Sequence, residues 1–268
     1  MNTDTTPRHP IGDVAARTGV NPVTLRAWQR RFGLLKPGRT PKGHRLYSEA
    51  DIDRIHQILS WLDKGVAISQ VRALLESAGA QTPDDPWQAH QETLTQAVIA
   101  MNGDKLAREL DQLTALYTFE LTLTRALRPW LESLQSRFAD RADANLMLCW
   151  AQQQLLLYLQ GHCSRGQSQL TGDCALLVLL RTPALEGAIA ALSLTHQGEK
   201  CSQLPTDTLD GCQLLSPNRL ILCLPAKLAG DERQQLSKLK ARGITLRVVG
   251  PFAALHRDDP LFWEAAHG

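Results

Sequence analysis

Several absences narrow this chain before any motif does. No apolar run approaches the ~20 residues that cross a bilayer, and the first residues carry no apolar leader, so a soluble, cytoplasmic protein is expected. Cysteine is missing until Cys149. The others, Cys163, Cys174, Cys201, Cys212 and Cys223, form no pair at the two- to four-residue spacing of a zinc knuckle. Most lie in apolar runs, as Cys223 does in LILCLP, and read as small buried hydrophobes. No metal and no disulfide framework is expected. A P-loop, a G-x-S-x-G elbow and an acid/base constellation are lacking too, which argues against an enzyme.

Acid is scarce at one end. Before Ser48 the carboxylates are Asp4 and Asp13, against Arg8, Arg17, Arg26, Arg30, Arg31, Lys36, Arg39, Lys42 and Arg45. A formal net charge of +2 over 268 residues therefore hides a basic head on an acidic body. Phosphate neutralisation drives nucleic-acid association, so this asymmetry points to a polyanion at the head. The rest is ordinary globular composition, 43% hydrophobic and 21% charged, with room for two domains or more.

The stretch NPVTLRAWQRRFGLLKPGRTPKGHRLY, residues 21–47, carries the chemistry. Asn21 can cap a helix whose first position, Pro22, needs no N–H. Along that helix Leu25, Trp28 and Phe32 recur at helical spacing, while Arg26 and Arg30 project together from the other side. Ile11, Val14 and Ala15 give a short helix before it, ended by Gly19, which makes a helix-turn-helix whose second helix suits a major groove. After Gly33 a turn-rich segment with Arg39, Lys42, His44 and Arg45 predicts a two-stranded wing that contacts phosphates without reading sequence. Ser48 and Asp51 form a capping-box pattern for a third helix with Ile52, Ile55, Leu59 and Leu62, and a fourth carries Ile68, Val71, Leu74 and Leu75.

IGDVAARTGVNPVTLRAWQRRFGLLKP, GHRLYSEADIDRIHQI and GVAISQVRALL, in that order, resemble the MerR family of winged-helix transcription regulators, and look closest to its MlrA type, regulators of curli and biofilm genes. The resemblance implies a homodimer on an inverted repeat in promoter DNA, working with RNA polymerase, more as activator than repressor. It implies DNA contacts from Arg26, Trp28 and Arg30 of the helix and from Arg45 and Tyr47 of the wing, and Asn21, Thr24, Arg31, Arg39, Lys42 and His44 join them as candidate DNA-binding residues. Ala27 replaces the first of the family's paired aromatics, which leaves base preference open and Trp28 divided between core and phosphate contact.

Beyond the head, the expected order is a flexible tail over 1–10, the winged domain over 11–78, a polar linker GAQTPDDP over 79–86, a four-helix bundle over 87–161 with a kink at Pro129, a connector over 162–172 and a doubly wound α/β domain over 173–268. CALLVLLR and RLILCL read as parallel strands buried on both faces. This order resembles the cobalamin-binding light-sensing repressors of the CarH type, in which a D-x-H-x-x-G motif supplies the cobalt-ligating histidine. Here Thr182 and Ala184 stand at the aspartate and histidine positions, and only Gly187 remains. A methyl group has no lone pair for a metal. The W-x9-E-H motif is similarly reduced to Trp130 followed by Asp140 and Arg141, and neither His162 nor His196 stands where a replacement ligand would be needed. The expectation is a DNA-binding regulator without cofactor. The alternative is a ligand-sensing repressor that binds cobalamin or another small molecule at its strand ends.

Overall fold

The computed structural model describes residue 6 and residues 8–76, 86–212 and 219–262. The chain divides into two compact units, Met1–Ala151 and Gln152–Gly268.

In the first unit, α1 (Ile11–Thr18) and α2 (Pro22–Phe32) form the helix-turn-helix. Gly19, at φ 69°, turns the chain between them and its N–H returns to the Ala15 carbonyl. Asn21 Oδ1 accepts from Val23 N at 2.8 Å, as its sequence position predicts. The expected two-stranded wing is a three-stranded sheet. β2 (Gly38–Arg39) and β1 (His9–Pro10) both pair antiparallel with β3 (Arg45–Tyr47), in the order β1-β3-β2. The loose tail expected over 1–10 is thus corrected at His9 and Pro10, which pair with Tyr47 and Leu46. An edge strand tolerates the proline there. Residues 1–5 and 7 lie outside the described residues.

Helix α3 (Glu49–Asp63) begins with the Ser48/Asp51 capping box, and α4 (Ile68–Glu76) follows. Ile58, and not the half-buried Leu59, joins Ile52, Ile55 and Leu62 in the core. The linker expected over 79–86 lies outside the described residues except for Pro86, which opens α5 (Pro86–Ile99). Then come α6 (Gly103–Leu116), α7 (Phe119–Leu121) and α8 (Arg128–Arg137).

A π-helical turn, Thr122–Leu127, joins α7 to α8, and its cause is Pro129. Proline cannot donate to the carbonyl four residues back and its ring crowds that carbonyl. A wider turn relieves the crowding. The orphaned Arg125 carbonyl is satisfied instead by Gln91 Nε2 at 3.1 Å.

Helix α9 (Ala144–Gln169) runs past Gly161 through most of the expected connector. Gly166 serves a close approach: a Cβ there would stand 2.4 Å from Thr195 Cγ2. In the second unit β4 (Ala175–Leu180), β5 (Cys201–Thr206), β6 (Arg219–Cys223) and β7 (Thr245–Val249) form a parallel sheet of order β5-β4-β6-β7. α10 (Ala184–His196) follows β4 and α11 (Gly230–Ala241) follows β6. Leu179 packs against Gly187 of α10, while Val178 and Leu180 join a core with Leu236 and Leu239 of α11. Both faces of β4 are therefore covered, which is why it reads as an unbroken apolar run. The short helix expected over Leu209–Leu215 falls partly outside the described residues.

Candidate nucleic-acid interface

Helix α2 sorts its residues by direction. Leu25 and Trp28 are fully buried, and so is Thr24. Arg26 and Arg30 are exposed on the opposite face, with the exposed Val23 and the half-buried Ala27 beside them. Residues four apart project together, so the two guanidinium groups form one cationic ridge. Arg31 is exposed beside it. The wing adds a second set: Arg39, Lys42 and His44 are exposed around a tip held by Thr40 N–H to the His44 carbonyl at 2.8 Å. Gly43 takes φ +83° at that tip, which suits glycine.

Thr24 and Tyr47, expected to touch DNA, lie inside, and so does Trp28, which stood between core and phosphate contact. Thr24, Trp28 and Tyr47 are each 0% exposed. Trp28 resolves to the core: its indole N–H donates to the Leu116 carbonyl at 2.8 Å, so it is spent within the protein. The Tyr47 hydroxyl has no hydrogen-bond partner among the described residues, and burial pushes its phenol above the usual range. Asn21 is exposed, with its side-chain carbonyl committed to the cap. Arg45 is half-buried and fixed by Gln29 Oε1, which accepts from its Nε at 2.6 Å. Gln29 has no motif of its own in the sequence, and its role emerges only when the wing folds back onto α2. Arg8, exposed where its N–H joins the Tyr47 carbonyl, brings another cation to the wing.

The family model described as MerR HTH family regulatory protein matches residues 10–78. The HTH-type transcriptional repressor CarH of Myxococcus xanthus is 36% identical over 277 residues, covering 92% of this chain and 90% of that protein. The chain belongs to the MerR family. The HTH-type transcriptional regulator MlrA of Salmonella typhimurium strain LT2 is 42% identical over 127 residues, 47% of this chain and 52% of that protein. MlrA of Escherichia coli K12 is 54% identical over 86 residues, 32% of this chain and 35% of that protein. The chain thus matches about half the length or less of these MlrA relatives. The MerR head, with its cationic ridge and wing, is the region that the family model covers.

The residues at the cobalamin-motif positions of CarH-type proteins have other occupations. Thr182 Oγ1 donates to the Cys223 carbonyl at 3.3 Å, and Ala184 offers no donor atom. A Cβ on Gly187 would fall 2.7 Å from Leu179 Cδ1, so this glycine serves helix-on-strand packing. Gly250 similarly receives Cys223 Sγ, 2.4 Å from where its Cβ would be. Arg181, at φ 49°, pairs with the buried Glu232 carboxylate and holds it below the usual carboxylate range. In the first unit Trp130 is buried and donates to Thr95 Oγ1 at 3.2 Å, while Arg141 pairs with Asp143 and Asp140 is exposed. In the α/β unit the residues do not fit a histidine-ligated corrinoid, because Ala184 carries no donor atom. Burial pushes the Cys201 thiol up to about 11 and raises those of Cys212 and Cys223, which keeps them protonated and unreactive near neutral pH.

Proposed function

We propose that this chain is a promoter-binding transcription regulator that works as a homodimer on double-stranded DNA, and as an activator in contact with RNA polymerase. The observation that carries this is the ridge of Arg26 and Arg30 on a capped helix, flanked by Arg39, Lys42 and His44 of the wing. Arg26 and Arg30 read base edges in the major groove. Arg31, Arg39, Lys42 and His44 bind phosphates, and Arg45 is oriented for a phosphate by Gln29. Asn21, Thr24, Trp28 and Tyr47 shape this surface from within or at its edge. The organisation we favour is a winged head over 11–78, a linker over 79–86, a four-helix bundle and a doubly wound α/β domain from 173. Kinship with the MlrA regulators supports a role in biofilm-type gene control.

We further propose that the α/β domain does not bind cobalamin. Ala184 removes the ligand, and Leu179 and Cys223 fill the space beside the two glycines. A gel shift with rising salt tests the DNA reading: affinity falls log-linearly with salt, and a flat response refutes it. The second reading, a cobalamin-sensing repressor, draws on the 36% identity to CarH. Incubation with adenosylcobalamin followed by gel filtration separates the two, because corrinoid absorbance co-eluting with the protein favours the sensor.

A further inference from the structure

A helix ends in carbonyls that its own residues cannot satisfy, and an end that becomes buried must be met by donors from elsewhere. Helix α6 ends this way. The Tyr117 N–H covers the Leu113 carbonyl, and the donors that reach Leu116 and Thr114 come from α2. Trp28 Nε1 donates to Leu116 O at 2.8 Å, and Thr24 Oγ1 approaches Thr114 O at 3.5 Å. Both side chains are fully buried. The same two regions are tied twice more. The buried Tyr117 hydroxyl hydrogen-bonds the backbone of Ile68, the first residue of α4. Arg125 of the π-turn reaches both the carbonyl and, at 3.6 Å, the carboxylate of Asp63 at the end of α3. Tyr117 is itself braced by Trp87, with ring centroids 4.4 Å apart.

We propose that the end of α6, with Tyr117, is a positioning element of the DNA reader, and that Trp28 is the positioning residue through which it acts. A base-reading side chain tolerates an error of only about 0.5 Å and 10–20°. The direction in which Arg26 and Arg30 leave α2 depends on the rotation of that helix about its own axis. Trp28 lies two residues from each arginine, on the opposite face, and its indole N–H is pinned to a carbonyl outside the head. The head therefore does not set the rotation of its reading helix alone. The helical region sets it, and a change in that region has a direct path to the reading face. This inference rests on the DNA-binding reading.

The experiment uses the full chain, a duplex that the wild-type chain selects from a random pool, and an unrelated duplex of equal length at the same salt. Trp28→Phe keeps the ring and deletes the N–H. Its ratio of selected to unrelated affinity is expected to fall roughly 5–30-fold, with binding to the unrelated duplex unchanged. Tyr117→Phe is expected to shift the ratio in the same direction by a smaller factor. An equal loss on both duplexes, or an unchanged ratio, overturns the inference. Hydrogen exchange of the indole protons in the wild-type protein provides a check independent of variant folding. Trp28 is expected to be protected, and exchange as fast as in an exposed tryptophan overturns the anchor. A wild-type chain that selects no duplex sinks the DNA-binding reading and this inference together, whereas selection with an indifferent Trp28→Phe sinks this inference alone.

Discussion

Replacing Arg39 with alanine separates charge from sequence reading. Arg26, Arg30, Arg31, Arg39 and Lys42 are exposed on α2 and the wing, and Arg45 is half-buried beside them. If Arg26 and Arg30 are reserved for bases and Arg31, Arg39, Lys42 and Arg45 each neutralise a phosphate, a dimer releases counterions at eight sites. The slope of log affinity against log salt is then about −7, since each B-DNA phosphate contributes about 0.9. Between 50 and 200 mM salt the wild-type chain should lose on the order of 10⁴-fold in affinity. Arg39 is at the wing tip, and its exposed guanidinium makes a 3.4 Å contact with the Gly43 carbonyl, so truncating the side chain disturbs little else. Arg39→Ala should flatten the slope by about 2, one phosphate per protomer, and weaken all duplexes alike at low salt. Fluorescence anisotropy over a salt series on two unrelated duplexes measures both quantities. An unchanged slope, or a loss confined to one sequence, refutes the assignment of the wing to the backbone.

Arg26→Ala should act in the opposite sense, abolishing discrimination at one base pair per half-site at a cost of about 1–3 kcal/mol while leaving the salt slope within about one unit; a saturation scan of the selected duplex reads this directly. Gly187→Ala places a methyl 2.7 Å from Leu179 Cδ1 and should cost about 1–3 kcal/mol, seen as a lower melting temperature of the α/β unit. Adding Leu179→Ala should recover part of that loss, and strict additivity would contradict the packing role given to Gly187. Glu232→Gln should destabilise the chain at neutral pH. The Arg181 hydrogen bond depresses the Glu232 carboxyl, so the pair adds stability above the unfolded carboxylate pKa of about 4.3, and that stability is lost as pH falls through the folded value. Urea titrations of both proteins should therefore diverge at pH 7 and converge below about pH 4, and a gap independent of pH would exclude the ion pair as its source.

What was legible in the sequence was local. Asn21 with Pro22, and Ser48 with Asp51, announce helix starts because a cap is made by residues two or three apart, and both caps form. The outward set of Arg26 and Arg30 followed from helical period alone. What was hidden depended on distant chain. Nothing near Trp28 signals that its indole N–H meets the carbonyl of Leu116, so a tryptophan on a basic helix could serve core or phosphate equally well. His9 and Pro10 become a strand only because the edge of Tyr47 and Leu46 is open to them. The bundle was expected to end at Gly161, yet α9 continues through it, and Gly166 answers to Thr195 across the packing. Pro129 marked the right place for a distortion, but its form, a π-turn with the freed carbonyl taken by Gln91, required the neighbouring helix.

The α/β unit turns the ends of its strands to its own contacts. The carboxyl ends of parallel strands suit a ligand because backbone groups and glycine gaps are left open there. Here those groups are used internally. Arg181 N–H donates to the Thr206 carbonyl at 2.8 Å, Thr182 reaches the Cys223 carbonyl, and His256 Nε2 lies 2.9 Å from the Pro225 carbonyl. Leu179 and Cys223 take the space beside Gly187 and Gly250. A cavity of about 410 Å³ lies instead against α11, lined by residues including Arg233, Lys240 and Asp259. Its cations are occupied, Arg233 by Asp259 at 2.7 Å and Lys240 by the Pro260 and Leu261 carbonyls. A ligand arriving at the strand ends would have to break the Arg181–Glu232 pair and expel packed side chains. Breaking a buried pair costs about 3–5 kcal/mol, though the half-open Arg181 side brings it toward the lower figure. The contacts at the strand ends are also the contacts that tie β4, β6 and α11 together.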